Sequence, residues 1–358
     1  MTSFVSGEGG YTTEGILGHA WLSSAAPSGT VKMLRGVNPS IGDHALMNPN
    51  YLISGYNQEI FSNYAYPRFN KAEELLTLQG SAIQVKSNLV AGGTVWELWW
   101  NGKQFIDHKD YGREMQSSLN LGNGALPTEG GDKWSDSNPF YMHGSPIIEA
   151  YNNGATQITS AVPLEWFNDS FNTSGNQHEL VIYKDFKLGK KLKLDQALNL
   201  GNYNYLNSQI ITYETNFYTP TDLTNVHIEV PTTYLPTEFS RFFEIDASKS
   251  NLNDGLTEVF LNVNESKQSP KPLAGGIAIA TNNLNYAMGI YINVNMVESQ
   301  DVGSNYYFRN WKFENTSKWS AGRYGTITSG NHTYKSYVIV GTLDNVRVAM
   351  RTLYLNGY

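Results

Sequence analysis

Between Asp107 and Pro146 the chain gathers most of the residue types that can move a proton or hold an anion: Asp107, His108, Asp110, Arg113, Glu114, Gln116, Glu129, Asp132 and His143. Glu129 and Asp132 flank a Gly-Gly pair. Paired carboxylates of this kind can act as acid and base in glycoside hydrolysis. Joined by Asp136 and backbone carbonyls they would suit a structural Ca2+, and Glu129 alone could cap loop amides. His143 precedes Gly144-Ser145-Pro146; its imidazole changes charge near neutral pH, and a glycine beside it allows close approach of a substrate. His44 beside Asp43, and His178 in Asn176-Gln-His-Glu179, are the other histidine candidates. Arg113, with Glu114 and Gln116 nearby, offers a planar bidentate fork for a uronate or sulfate, or simply pairs with Asp110 across the bend.

Aromatic rings with a polar handle suit the faces of pyranose rings. Trp134 and Trp166 stand in turn-rich contexts beside Asp136 and Asp169, and Tyr141 precedes His143 by two positions, so these are the expected stacking residues. In the run Trp96-Glu-Leu-Trp99-Trp100, strand alternation places Trp96 and Trp100 on one face and Trp99 on the other. At least one of those sets is expected in the core.

The elements that must position these groups read as strands. Asn101-Gly102 between the tryptophan run and Lys103 to Ile106 is a two-residue hairpin signal. A second hairpin is expected at Leu188-Gly189-Lys190, with one wet face. From Ile147 onward, short apolar or alternating runs recur to the C-terminus, Val226 to Val230 and Val346 to Leu355 among them. No segment shows a sustained apolar stripe of helical period; Asn70 to Glu73 could cap a short helix or enter a strand. The expected class is therefore all-β: a large antiparallel sandwich of roughly fifteen to twenty strands, with few short helices. Residues 1–50, rich in Gly, Ser and Pro, read as an extended lead-in packed on a single body over residues 51–358.

Composition closes several alternatives. There is no cysteine, so disulfides, thiolate metal sites and cysteine nucleophiles are excluded. A net charge of -7 with no basic block argues against nucleic acid as a partner. No run of 18 apolar residues suggests a membrane span, and no Walker, Rossmann, HExxH or GxSxG pattern occurs, so no organic cofactor is expected. The Asn-, Tyr- and Trp-rich, weakly charged composition fits a secreted or cell-surface protein, bacterial in style, whose signal peptide is absent from this chain. A homo-oligomer is compatible with it.

The phrase W-x-L-W-W-N-G-K-x-F-I-x-x-x-D-Y-G-R-x-x-Q, carried by Asn101, Gly102, Asp110, Gly112, Arg113 and Gln116, resembles the galactose-mutarotase-like β-supersandwich proteins. Pro127-Thr128-Glu129 and His143-Gly144-Ser145-Pro146 continue the same rim. The resemblance implies two large antiparallel sheets and a glycan-binding face. The aldose mutarotases it resembles carry a His-aromatic-aromatic-Asn stretch and a late Glu base with no counterpart here, which argues against a simple sugar epimerase.

The expectation is a carbohydrate-active protein acting on a polysaccharide. In a hydrolytic scheme Glu129 protonates the leaving oxygen while Asp132 or Glu165 activates water. In an eliminating scheme His143 or Tyr141 takes the proton alpha to a uronate neutralised by Arg113. Gln116, Trp134, Tyr141, Glu165 and Trp166 would line the substrate. The rival readings are a non-catalytic glycan-binding module and a structural β protein of a virion or cell surface.

Overall fold

The computed structural model describes residues 34–38, 43–47, 57–58, 75–109, 112–131, 144–166, 183–249, 251, 253–269, 275–292 and 305–358. The chain divides into two compact units, Met1–Arg68 and Phe69–Tyr358. In the first, the strand Leu34–Asn38 pairs antiparallel with Asp43–Met47 on one side and Asn57–Gln58 on the other. That second pairing carries the first unit past residue 50, so the division falls after Arg68. The Asn70 to Glu73 segment lies outside the described residues; the chain is already a strand at Leu75–Gln79.

The second unit is an all-β sandwich. A nine-stranded antiparallel sheet runs in the order Ile147–Asn153, Thr156–Ala161, Lys187–Lys193, Ile210–Thr219, Gly330–Gly341, Ala287–Tyr291, Gly275–Thr281, Phe239–Asp246, Leu256–Val259. A seven-stranded sheet runs Leu164–Glu165, Pro127–Thr128, Gln116–Asn120, Leu223–Leu235, Ser317–Ile327, Asn305–Lys312, Glu265–Gln268. Four further strands, from Leu75–Gln79 to Lys103–Gln104, form a smaller sheet. One core joins all three: Leu192, Tyr213, Ile277 and Val338 from the large sheet meet Ile228, Phe308 and Trp319 from the seven-stranded one, with Val85 and Leu98 from the third.

The two large sheets differ in what covers their outer faces, and this decides where a site can be. Behind the nine-stranded sheet a second core packs Ala278, Ala280, Tyr291 and Ile339 against Leu343, Val346, Met350 and Leu353. Strands buried on both faces lose alternation, and Gly275–Thr281, reading GGIAIAT, is buried at every position. On the seven-stranded sheet alternation survives. In Leu223–Leu235, Val226, Ile228 and Val230 are core residues. His227 and Glu229 therefore point to the other face. A bulge between Glu229 and Thr232 keeps both on that face and accommodates Pro231, which cannot donate to a ladder.

The Asn101-Gly102 hairpin forms as expected, with both residues at positive φ, 48° and 73°. Two sequence expectations are corrected. Leu188-Gly189-Lys190 is not a turn: Lys187–Lys193 is one continuous strand between Thr156–Ala161 and Ile210–Thr219. Gly189 is there because neighbouring backbone comes close; a Cβ would overlap Thr159 O and sit 2.7 Å from Ser160 Cα. Neither atom can swing aside, so Gly189→Ala is expected to destabilise by about 1–3 kcal/mol through overpacking. A urea midpoint equal to wild type would contradict that account. Val346 to Leu355 is not a strand either. It lies in the helix Leu343–Leu355, capped by the Thr342 side chain, which accepts from Asn345 N. Leu343, Val346, Ala349, Met350 and Leu353 make its buried stripe, and Met350 and Val346 seat directly on Gly289.

Candidate functional site

The open face of the seven-stranded sheet holds a cleft of about 170 Å³. Its floor is built from three adjacent strands: Gln116 and Ser118 from one, His227, Glu229, Thr232 and Tyr234 from the next, and Lys318 from the third. Thr128 and Trp166 close one side. Register explains the gathering. Glu229 lies opposite Ser118, Thr232 opposite Gln116 and Tyr234 opposite Lys318, so their side chains share one face.

Glu229 organises the charges. It is buried, accepts from Ser118 Oγ at 2.8 Å and receives Lys318 Nζ at 3.1 Å. Burial alone would raise its carboxyl, but Lys318, then His227 and the Ser118 hydroxyl, hold it below the usual carboxylate value. Lys318 is shifted the other way: burial opposes its charge, yet Glu229 and then Tyr234 hold the ammonium above its ordinary value. The two shifts describe one charged pair. His227 is pushed below its ordinary value by burial, with Lys318 and Arg309 adding to the effect against the pull of Glu229. At neutral pH the cleft therefore holds a carboxylate, an ammonium and a neutral imidazole.

Rings wall the same face. His227 lies 4.6 Å from Tyr324 and 4.8 Å from Tyr307 between ring centroids. Lys318 Nζ sits over Trp311 at 4.5 Å and over Tyr234 at 5.2 Å, and Tyr234 stacks on Phe313. An ionised acceptor, a cationic donor and ring faces within one cleft are the chemistry that receives a polyhydroxylated ring.

The lowered values of His227 and Glu229 both make acid destabilising. Below about pH 6.5 the unfolded chain takes up a proton at residue 227 that the folded chain resists, and below about 4.5 the same holds at residue 229. Stability from these groups is thus complete at neutral pH and lost as the pH falls. His227→Asn is expected to flatten the loss between about pH 7.5 and 5.5; an identical decline of urea midpoint in both proteins would contradict the assignment.

The expected site residues divide. Gln116 and Trp166 line the cleft, although Gln116 also accepts from Gly130 N at 2.7 Å. Glu165 sits behind it, accepting from Leu126 N at 3.0 Å and from the Tyr183 hydroxyl. Arg113 does not reach the cleft; it donates to Asp107 and Asn315, each at 3.3 Å. Glu129 is turned inward. The residue before it, Thr128, lines the cleft, so alternation sends Glu129 between the sheets. There Lys190 Nζ meets it at 2.5 Å and Ser117 N donates at 3.0 Å. Neither Glu129 nor Lys190 is accessible to solvent, so an acid/base role for Glu129 on a bound substrate does not fit this geometry. His143, Asp132, Trp134, Tyr141, Asp110, Asp136 and His178 lie outside the described residues, as do the side chains of Asp43 and His44. Among the described residues no group of three or more His, Asp and Glu gathers to hold a metal, and no helix is long and apolar enough to cross a membrane.

His227, Glu229, Lys318 and Arg309 were not singled out by the sequence reading. The signal was Val226-His-Ile-Glu-Val230, an alternating strand whose polar positions are all ionisable. Of the tryptophans, Trp96 is buried and stacks on His108 at 5.0 Å, while Trp99 and Trp100 border a shallow hollow of about 300 Å³ with Gln79 and Gln84. That hollow is larger than the cleft but none of the residues bordering it is titratable, so the cleft is the stronger candidate.

No protein-family model and no curated protein matches the chain. Solved structures similar to it include galactose-mutarotase-like and aldose-epimerase proteins. A provisionally assigned aldose 1-epimerase of Escherichia coli K12 is 9% identical, matches 76% of this chain and 100% of its own, and has a TM-score of 0.43. A galactose mutarotase-like protein of Clostridium acetobutylicum is 8% identical over 76% of this chain and 100% of its own, with a TM-score of 0.37. The GH36 alpha-galactosidase AgaA of Geobacillus stearothermophilus is 8% identical, with a TM-score of 0.42; the match covers 76% of this chain and 42% of the enzyme.

Proposed function

We propose that this chain is a carbohydrate-active protein that binds a glycan in the cleft on the open face of its seven-stranded sheet. The observation that carries the reading is the trio gathered on the cleft floor, Glu229 receiving Lys318 Nζ at 3.1 Å and Ser118 Oγ at 2.8 Å with His227 beside it, and the rings of Tyr234 and Trp311 around the ammonium. Glu229 accepts from sugar hydroxyls, Lys318 donates to ring or hydroxyl oxygens, and Trp166, which lines the cleft, offers a ring to the apolar face of a pyranose.

The same trio bears on the reaction. Hydrolysis with two carboxylates needs a second acid across the scissile bond. Among the described residues Glu229 is the only carboxylate lining the cleft, and its lowered pKa makes it a poor proton donor. A neutral imidazole near a cation suits abstraction of an acidic C–H proton better. The eliminating scheme is therefore retained with His227 as base in place of His143 or Tyr141.

The test is incubation with neutral, uronic and sulfated polysaccharides, following binding, new reducing ends and unsaturated-uronate absorbance together. Binding with both signals rising is the expected result. Reducing ends without the absorbance would overturn elimination in favour of hydrolysis. Binding with no turnover would leave a recognition module, and no binding to any member would remove the cleft reading.

A further inference from the structure

The arginines of the second unit differ in how the fold uses them. Arg113, Arg241, Arg323, Arg347 and Arg351 each donate to a carboxylate, an amide, a hydroxyl or a backbone carbonyl. Arg309 has no such acceptor among the described residues. Its guanidinium lies over the Trp311 ring, 5.2 Å from the centroid, and its Nε is shielded from solvent with no hydrogen-bond partner. A guanidinium attracted to a ring face through its charge still has N–H donors left for an anionic partner. Leaving the shielded Nε–H unmade is costly unless a ligand completes it.

Its place on the sheet says which ligand. Arg309 lies opposite Ser320 on the strand beside Ser317–Ile327, which in turn pairs with the strand that bears Glu229. Arg309 thus stands two strand spacings, roughly 10 Å, across from the His227–Glu229 strand, a span suited to a disaccharide rather than a single ring. Trp311 links the two positions, since Arg309 and Lys318 both lie over its ring. Lys318 is neutralised by Glu229, so the charge left uncompensated along this row is that of Arg309. Its register partner on the far side, Gln268, is neutral.

We infer that Arg309, pre-oriented on Trp311, receives the anionic substituent of an acidic sugar one unit away from the ring held in the Glu229 cleft, and so selects glycans that carry carboxylate or sulfate. This rests on the glycan-binding reading of the cleft. It assigns the specificity to Arg309 and not to Arg113, whose fork is already occupied by Asp107 and Asn315.

The experiment is equilibrium binding of the whole chain to three probes of equal length: trigalacturonate, its carboxyl-reduced counterpart and a sulfated galactan trisaccharide. Wild type is expected to bind at least one anionic probe roughly tenfold or more tightly than the reduced one, as a charge-assisted bidentate contact supplies. The tighter of the two anionic probes identifies carboxylate or sulfate as the group recognised. In Arg309→Gln the preference is expected to fall below about twofold, with affinity for the reduced probe unchanged. Arg309→Lys, which keeps the charge and loses the fork, is expected to keep only part of it. Should Arg309→Gln fail a thermal-melt check of folding, the lysine variant alone decides, and an undiminished preference in it overturns the proposal. Equal binding of all three probes by wild type would overturn the role of Arg309 and leave the cleft reading standing. Binding of none would overturn both.

Discussion

Replacing Lys190 with methionine is expected to cost the protein about 3–5 kcal/mol of stability, the range for removing one partner of a buried ion pair. Lys190 is fully enclosed; it donates to Glu129, to Thr159 Oγ1 at 3.1 Å and to the Gly93 carbonyl. It ties four elements together: the strand Lys187–Lys193, the neighbouring strand Thr156–Ala161, the turn at Gly93 that leads into Thr94–Trp100, and the Thr128–Gly131 bend of the opposite sheet. Burial holds its ammonium below the ordinary value against the opposing pull of Glu129 and, behind it, Glu114. Methionine fills similar volume but leaves Glu129 with only Ser117 N and the adjacent Tyr213 hydroxyl to offset its burial. The check is urea unfolding of Lys190→Met, Glu129→Leu and the double variant. The double variant should lose clearly less than the sum of the singles, because neither charge is then stranded. Additive losses would mean that the two residues stabilise the sandwich separately.

The second large effect is on binding. Glu229→Gln is expected to weaken glycan affinity on the order of a hundredfold, since truncating one partner of a desolvated charge pair costs about 2–5 kcal/mol. The amide keeps the shape of the side chain but presents a weaker acceptor to sugar hydroxyls, and it leaves the Lys318 ammonium without its counter-charge. Lys318 retains Tyr234 and Trp311 as ring partners, so the fold is expected to survive. The readout is Kd by calorimetry alongside a thermal melt. An unchanged Kd would remove Glu229 from the site, whereas an unfolded variant would show that the pair serves the sheet rather than a ligand.

The sequence carried the architecture further than the chemistry. Asn101-Gly102 specifies its turn locally, because a two-residue hairpin needs positive φ at both positions, and the turn forms where expected. Strand alternation also located the segment Val226 to Val230. The two misread elements fail for nonlocal reasons. Gly189 looks like a turn residue, yet it is required by the closeness of Thr159 and Ser160, thirty residues earlier in the chain. In Val346 to Leu355 the apolar residues satisfy a strand reading nearly as well as a helix; only the Thr342 cap and the seat on Gly289 decide.

The candidate site was legible in part. Gln116 and Trp166 were drawn from the right rim, but the reading weighted the density of polar residues in one loop, while the cleft is assembled by register across strands some two hundred residues apart. Ser118, Glu229 and Lys318 meet only because three strands align. Glu129 shows the converse error: a carboxylate beside a Gly-Gly pair has the look of a functional group, and its buried partner Lys190 was assigned to a hairpin turn. The alternation that exposes Thr128 is what hides Glu129.

Hydrogen exchange with and without a saturating glycan from the panel tests the central claim most directly, because it locates the ligand without assuming any residue's role. The account predicts added protection in 223–235, 305–312 and 317–327, the strands that carry Glu229, Arg309 and Lys318, and none in 75–104. Protection confined to 75–104, around the hollow beside Trp99 and Trp100, would contradict it and move the glycan site to the other sheet.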